Sequence, residues 1–154
     1  MLFLVFQLGQ DRYALPAKQV VEVLPLVGLK QFPGAPAGVA GAFNYRGQPV
    51  PVMDLSQLCL GHPARPRLST RIILVNYPDD AGQNHLLGLM AERANETIRK
   101  APHEFGPSGV LNLAAPYLGP VATDARGLIQ RVEIEQLLPP HARAMLFQES
   151  ALSV

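Results

Sequence analysis

Short apolar runs separated by turn residues recur along the whole chain. The first run, Leu2–Leu8, ends at a Gly-Gln-Asp turn, and Arg12–Leu15 runs back. Two apolar runs joined by a short polar turn predict a β-hairpin. The same pattern predicts further strands near Gln19–Leu26, Val39–Phe43, Val50–Met53, Ile72–Tyr77, His85–Met90, Tyr117–Val121 and Leu128–Val132. The pattern therefore indicates a mainly β protein.

Proline and glycine restrict helix to short segments. The 154 residues include 15 prolines and 13 glycines, and such frequent punctuation is typical of small β-barrels and sandwiches. Asp54 is placed to cap a short helix that runs to about Leu60, and a last helix is predicted over His141–Glu149. Residues 91–100 have a helix-forming composition, so propensity alone predicts helix there.

One predicted hairpin carries two prolines in its returning strand. The chain turns at residues 45–48, and Pro49 and Pro51 follow directly. Proline has no N–H group to donate to a neighbouring strand. We therefore expect this strand to have an unpaired side, at a sheet edge or a bulge.

The two halves of the chain resemble each other. An Arg-Gly pair begins at Arg46 and another at Arg126, and each follows a strand and a short turn. Upstream of these pairs, the segment around Glu22 has a counterpart around Glu96. Both separations are close to half of the chain length, so they predict two similar small β lobes. A groove between two lobes is a common place for binding.

Composition and charge narrow the class of protein. Hydrophobic residues make up 48% and charged residues 16% of the chain, which excludes disorder. The net charge of +1 does not indicate a nucleic-acid partner. The first apolar run is too short to span a membrane, which needs about 20 residues, and it lacks signal-peptide features. With Cys59 as the single cysteine, we expect a cytoplasmic protein without direct membrane insertion.

No pattern in the sequence indicates catalysis. The four histidines are widely separated in sequence, and none has a cysteine or acidic partner at metal-ligand spacing. The chain contains no Gly-x-Ser-x-Gly turn, no GxxxxGK loop and no GxGxxG loop that opens a helix. We therefore expect no enzymatic activity, no metal and no cofactor.

An arginine-rich stretch supports one alternative function. Arg65, Arg67 and Arg71 lie in a proline-containing linker, where charged residues usually face solvent. Arg67 and Arg71 match the RxxxR half of the cyclic-dinucleotide motif of PilZ domains. The second half of that motif, D/N-x-S-x-x-G, does not follow. A small-ligand or cyclic-dinucleotide sensor remains the alternative.

Two further charged residues have either an ordinary or a functional interpretation. Glu22 stands alone in an apolar strand, and strand alternation places it on one face with Val20 and Leu24. Arg46 lies in a turn beside Gly47. Taken singly, each fits a solvated surface position, yet each also fits a contact surface.

Read in order, these pieces resemble the CheW family of chemosensory coupling proteins. The resemblance begins with FQLGQDRYALPAKQVVEVLPL and continues with FPGAPAGVAGAFNYRGQPVPVMDL. The family pattern G-x-x-N-x-R-G-x-x-x-P-V-x-D-L is matched without a gap by Gly41, Asn44, Arg46, Gly47, Pro51, Val52, Asp54 and Leu55. The resemblance covers about residues 2–140.

The resemblance implies an all-β fold of two small SH3-like five-stranded β-barrel lobes packed side by side. A short helix would follow the Arg-Gly hairpin of the first lobe, and a second helix would lie at the C-terminus. We expect one domain over residues 1–154, with lobe 1 at about 10–65, lobe 2 at about 68–135, and terminal segments that join them. Over residues 91–100 the family has a strand, and we follow the family because tertiary context often overrides propensity.

The resemblance also implies a function without catalysis. Proteins of this family bridge the cytoplasmic tip of a methyl-accepting chemoreceptor to a CheA-type histidine kinase, at membrane-bound receptor arrays. The family's receptor-contact positions, with the second turn residue added, correspond to Val20, Glu22, Val23, Gly41, Arg46 and Gly47. Departures from the family pattern fall in the second lobe, at Met90–Glu92, Gly119-Pro120 and Gln130-Arg131. We therefore assign no kinase-contact residues there.

Overall fold

The computed structural model of the chain describes residues 1–109 and 114–147. Strands dominate this part of the chain, as the sequence predicts. The strands are β1 (Leu2–Leu8), β2 (Asp11–Pro16), β3 (Val20–Pro25), β4 (Val39–Tyr45), β5 (Gln48–Asp54), β6 (Thr70–Pro78), β7 (Asn84–Arg99), β8 (Leu118–Asp124) and β9 (Gly127–Val132). The helices are α1 (Leu55–Leu60) and α2 (Pro140–Phe147), with short 3-10 turns at Ala17–Gln19, Pro102–Glu104 and Ile134–Gln136.

The strands form two five-stranded barrels that share β7. The first barrel contains β3, β6, the first part of β7, β5 and β4. It is closed by two backbone hydrogen bonds between Lys30 and Ala42, of 2.9 and 2.8 Å. The second barrel contains the second part of β7, β1, β2, β9 and β8. Two bonds of 2.8 Å between Gly106 and Val121 close it in the same way.

Strand β7 passes from one barrel to the other near Arg93. Its residues up to Glu92 pair with β6, and those from Glu92 onward pair with β1. Arg93 itself has a positive φ of 50° and donates its N–H to Ser69 O at 2.8 Å. Residues 91–99 are thus strand rather than helix, as the family resemblance predicts. Pairing with β1 gives the backbone N–H and C=O groups of this segment the hydrogen-bond partners that they would otherwise find within a helix.

Each barrel takes strands from both sides of the division predicted at residues 65–68. Strand β2 lies in the second barrel because it pairs in parallel with β9, and β6 lies in the first barrel because it pairs with β3. The predicted limits of about 10–65 and 68–135 therefore do not follow the strand pairing. A parallel pair has no tight turn between its strands, so nothing local in the sequence reveals it.

The internal repeat has a structural counterpart that is shifted by one residue. In sequence, the two Arg-Gly pairs align Arg46 with Arg126. In the strand register, Tyr45 is the last residue before the β4–β5 turn, and Asp124 is the last residue before the β8–β9 turn. Tyr45 therefore corresponds to Asp124. Arg46 occupies the first position of its turn, whereas Arg126 occupies the second position of its turn.

The apolar interior is divided into three clusters. The largest contains residues of both barrels and lies between them, with Phe6, Tyr77 and Leu89 among its fully buried members. A second cluster fills the first barrel around Val52, and a third fills the second barrel around Ile129.

Both predicted helices are confirmed within the described residues. The carboxylate of Asp54 accepts the N–H of Gln57 at 3.1 Å, and Gly61, with φ of 80°, ends α1. The last two residues of the predicted C-terminal helix, 148 and 149, lie outside the described part of the chain. No helix within 1–109 and 114–147 has both the length and the hydropathy that a membrane span requires.

The prediction for Pro49 and Pro51 is also confirmed. Strand β5 pairs with β7 only over Val52–Asp54, so the two prolines lie where β5 has β4 alone as a partner. Their missing N–H groups therefore leave no ladder incomplete.

Candidate partner-binding site

The turn between β4 and β5 projects Arg46 into solvent. Arg46 and Gly47 have φ values of 52° and 88°, the arrangement of a two-residue turn whose twist matches that of paired strands. The side-chain oxygen of Asn44 accepts the N–H of Gly47 at 2.7 Å and fixes the turn. The Arg46 side chain is 79% exposed as a result.

Tyr45 connects this turn to Glu22 on the neighbouring strand. The hydroxyl of Tyr45 donates a hydrogen bond of 2.7 Å to Oε2 of Glu22. Nη2 of Arg46 lies 4.0 Å from the same oxygen, and its guanidinium carbon lies 5.1 Å from the centre of the Tyr45 ring. The bond to Glu22 raises the pKa of the Tyr45 hydroxyl. We refer to these residues as the Glu22–Tyr45–Arg46 cluster.

The cluster bridges two strands that do not pair with each other. Strand β3 is hydrogen-bonded to β6 on one side, and β4 is hydrogen-bonded to β5, with Lys30 on its other side. Side chains rather than a backbone ladder therefore join β3 to β4 at Glu22. Val21 and Val23, the neighbours of Glu22 along β3, are 44% and 36% exposed.

A register shift interrupts the pairing of β3 with β6. The shift lies between Val20 and Glu22. Leu24 packs against the apolar residues inside the first barrel, whereas Val20 packs against the large group of apolar residues between the barrels. Burial nevertheless alternates along β3 as the sequence predicts: Val20, Glu22 and Leu24 are half-buried, whereas Val21 and Val23 are exposed.

The six predicted contact residues have different environments. Glu22, Arg46 and Gly47 lie at the cluster and its turn, and Val23 is exposed next to Glu22 on β3. Val20 is half-buried and Gly41 is buried. A Cβ on Gly41 would lie 2.5 Å from the carbonyl oxygen of Lys30, so Gly41 allows the close approach that shuts the first barrel. Its contribution to any contact surface is through the backbone shape.

Sequence reasoning missed Tyr45. The residue lies inside the matched motif, directly before Arg46, but the family pattern leaves its position unspecified. Its contact with Glu22 depends on the approach of β4 to β3, which neither strand pairing nor a sequence pattern reveals. The available signal was an aromatic residue that can donate a hydrogen bond, next to the turn arginine.

The corresponding turn of the second barrel is arranged differently. Nη2 of Arg126 lies 2.5 and 2.6 Å from the two carboxylate oxygens of Glu96, so this ion pair is closed. Asp124, at the position that corresponds to Tyr45, accepts hydrogen bonds of 2.9 and 2.5 Å from the buried guanidinium of Arg12. That pair holds the pKa of Asp124 well below its usual range.

The arginines of the alternative motif do not converge on one site. Nη1 of Arg71 donates to the carbonyl oxygens of Leu68 and Thr70 in its own loop. Arg67 instead lines a cleft of about 330 Å³, which also contains the carboxylate-bearing Glu92. Arg71 does not line that cleft. An RxxxR pair that binds a phosphate needs both guanidinium groups at the ligand, so this geometry disfavours the cyclic-dinucleotide interpretation.

A larger groove of about 910 Å³ opens where α1 and the loop before β4 meet the segment after β9. Its apolar walls include Met53, Leu58, Tyr117 and Leu137. The predicted contact residues do not line it. Within the described ranges, no three His, Cys, Asp or Glu side chains are grouped so as to hold a metal ion.

Comparison with known proteins identifies the family of the chain. A family model described as the CheW-like domain matches residues 2–141, which include both barrels. The chain belongs to the CheW-like domain family. Members of this family are chemotaxis scaffold proteins and not enzymes.

Individual CheW proteins are similar to this CheW-like chain over different lengths. It is 29% identical over 106 residues to the chemotaxis protein CheW of Helicobacter pylori, with 68% of this chain and 61% of that protein covered. It is 27% identical over 150 residues to CheW of Klebsiella aerogenes, with 94% and 85% covered. The match thus spans about three fifths of the first relative.

A solved structure supports the fold assignment. The crystal structure of the scaffolding protein TtCheW from Thermoanaerobacter tengcongensis matches with a TM-score of 0.78 and 24% sequence identity. The match covers 92% of this chain and 89% of the other. The two chains therefore share the mainly β architecture of two small lobes.

Proposed function

We propose that this CheW-like chain couples the cytoplasmic hairpin tip of a methyl-accepting chemoreceptor to a CheA-type histidine kinase. It acts as a non-catalytic adaptor in the cytoplasm and is recruited to membrane-bound receptor arrays without entering the membrane. Membership of the family supports the adaptor role. The observation that carries the receptor site is the Glu22–Tyr45–Arg46 cluster with its exposed guanidinium; Val21 and Val23, on either side of Glu22 along β3, are exposed as well.

This arrangement suits the docking of a helical tip. Val21 and Val23 offer apolar contact area, while Arg46 and Glu22 offer charges of opposite sign at one point. Apolar contact supplies affinity to a helix that lies on such a surface, and charged groups fix its register and orientation. We retain Val20 and Gly41 in the site because they set the positions of β3 and β4, and Gly47 because it sets the turn.

The charge reversal Arg46→Glu tests the receptor site. We expect the affinity for a soluble receptor hairpin fragment to fall at least about tenfold, because the variant places a like charge beside Glu22 and removes the guanidinium. The measurement is co-sedimentation of the protein, the receptor fragment and the kinase, followed by kinase autophosphorylation. Arg67→Glu is the matched control, since it makes the same charge change on an exposed loop.

The outcomes separate the site from the function. Loss of binding in Arg46→Glu with retention in Arg67→Glu supports both. Unchanged receptor binding and kinase activation in Arg46→Glu would show that the site is wrong. If the folded wild-type protein binds neither the receptor fragment nor the kinase, the coupling function itself is wrong.

A further inference from the structure

The two turn arginines of the repeat differ in how firmly each is held by its glutamate. In the second barrel, Arg126 contacts both oxygens of Glu96 at 2.5 and 2.6 Å. In the first barrel, Arg46 lies 4.0 Å from Glu22, beyond hydrogen-bond distance. The exposed fraction of the side chain follows the same order, at 58% for Arg126 and 79% for Arg46.

We propose that Tyr45 is a positioning residue that holds the carboxylate of Glu22 and thereby leaves the guanidinium of Arg46 open to a carboxylate on the docking partner. The part that concerns the partner rests on the proposed function. The part that concerns Glu22 and Arg46 is a property of the chain alone. Tyr45 then determines which kind of group the site accepts.

The hydroxyl of Tyr45 is the first element of this argument. It donates to Oε2 of Glu22, which is also the oxygen nearest to Arg46. The corresponding position in the second barrel is Asp124, which at neutral pH has no hydroxyl proton to donate and is itself held by Arg12. There the turn arginine closes on its glutamate. The residue before the turn is thus a hydroxyl donor where the ion pair is open, and a carboxylate where the ion pair is closed.

The ring of Tyr45 is the second element. The guanidinium of Arg46 lies 5.1 Å from the ring centre, within the distance of a cation–π contact. The rings of Tyr45 and Phe43 are arranged edge to face, with their centres 6.3 Å apart and their planes at 73°. Phe43 in turn packs against the apolar residues inside the first barrel. The ring is thus anchored to the barrel and provides a surface on which the guanidinium rests.

The chemistry of the partner group follows from the open guanidinium. Arginine presents five N–H donors in a planar fork that matches a carboxylate with two parallel hydrogen bonds. The carboxylate of Glu22 accepts the hydroxyl of Tyr45 and lies 4.0 Å from Arg46, so it does not fill this fork. An Asp or Glu side chain on the docking helix tip is therefore the group that Arg46 receives.

The first test needs no partner. In Tyr45→Phe the ring remains and the hydroxyl is lost, so Glu22 is free to close on Arg46. We expect hydrogen exchange of the Arg46 side-chain N–H groups, measured by NMR, to slow at least about threefold. The double variant Tyr45→Phe with Glu22→Gln should return to the fast exchange, because the carboxylate is absent. Identical Arg46 exchange in the wild type and Tyr45→Phe would overturn the proposal.

The second test measures the affinity for the receptor hairpin fragment. Tyr45→Phe should weaken binding about threefold to tenfold, the range expected for the loss of one hydrogen bond. In a Glu22→Gln background the same substitution should have no further effect. Tyr77→Phe, which removes a hydroxyl outside the cluster that donates to Glu135 O at 3.1 Å, is the matched control.

The two tests fail in distinguishable ways. If the wild type binds and Tyr45→Phe binds equally well, the positioning role is refuted while the coupling function stands. If the loss in Tyr45→Phe persists unchanged in the Glu22→Gln background, Tyr45 does not act through Glu22, and the proposal is again refuted. If the wild type fails to bind the receptor fragment, the proposed function falls, and the exchange measurement still decides whether Tyr45 controls Arg46.

Discussion

At the scale of single residues, the predicted site contains residues with two kinds of role. Arg46 and Glu22 present charge at the surface, whereas Gly41 is buried and has a φ of 147°. The resemblance to the family identified all three positions. It could not separate the roles, because both kinds of residue stand in the same motif. Tyr45 was beyond reach, since its contact with Glu22 joins two strands whose proximity the sequence does not encode locally.

Gly41→Ala separates the two roles. A Cβ at this position would lie 2.5 Å from Lys30 O and 3.0 Å from Leu29 Cβ, and the backbone would be strained at its positive φ. We expect a loss of about 1–3 kcal/mol in the free energy of unfolding, measured with urea. Gly28→Ala is the control, since its Cβ would meet nothing within 4 Å. Equal unfolding free energies for the two variants would contradict the role given to Gly41.

At the scale of elements, local signals predicted those segments whose structure is decided locally. The α1 helix follows from its cap and its glycine end, and the β4–β5 hairpin follows from its turn. Residues 91–99 are the opposite case, because their composition favours helix and their pairing with β1 imposes strand. The resemblance to a family corrected the propensity there. The pairing of β2 with β9 is likewise not decided by local sequence, because these parallel strands lie near opposite ends of the chain.

Asp54→Ala measures how much α1 depends on its cap. Besides the N–H of Gln57, the carboxylate accepts the N–H of Ala64 at 2.9 Å, so it ties the helix start to the loop that follows. We expect a loss of about 1–2 kcal/mol in the free energy of unfolding. Asp54→Asn keeps one acceptor oxygen and should lose less. If both variants were as stable as the wild type, the cap would contribute nothing to the fold.

At the scale of the whole molecule, one architecture occurs twice with different electrostatics. Each barrel has an arginine in its hairpin turn and a glutamate on a neighbouring strand, and the one-residue shift between the turns changes what lies beside them. In the first barrel the flanking residue is Tyr45, and the arginine stays open. In the second it is Asp124, which binds Arg12 of β2 and so ties the hairpin to the strand beside it. The sequence repeat predicted the duplication, but the shift became visible only from the strand register.

The pair of Arg12 and Asp124 predicts a specific dependence of stability on pH. The hydrogen bonds that Asp124 accepts from Arg12 hold the pKa of its carboxyl group below the value of about 3.9 found in unfolded chains. A carboxyl with a lowered folded pKa stabilises the protein above the unfolded pKa, and this contribution is lost as the pH falls through the folded value. The urea midpoint of Asp124→Asn should therefore lie below that of the wild type at pH 6, and the difference should shrink as the pH falls below about 4.

The comparison with the wild type isolates Asp124 from the other carboxyl groups. Glu133, whose pKa is raised by burial, has the opposite dependence on pH, but it is present in both proteins and cancels in the difference. Arg12→Met removes the cause of the shift, so its difference from the wild type should shrink over the same pH range. A difference in urea midpoint that stayed constant from pH 6 to pH 2.5 would show that Asp124 is not stabilised in its charged form. The second hairpin would then be held to its barrel by packing and backbone pairing alone.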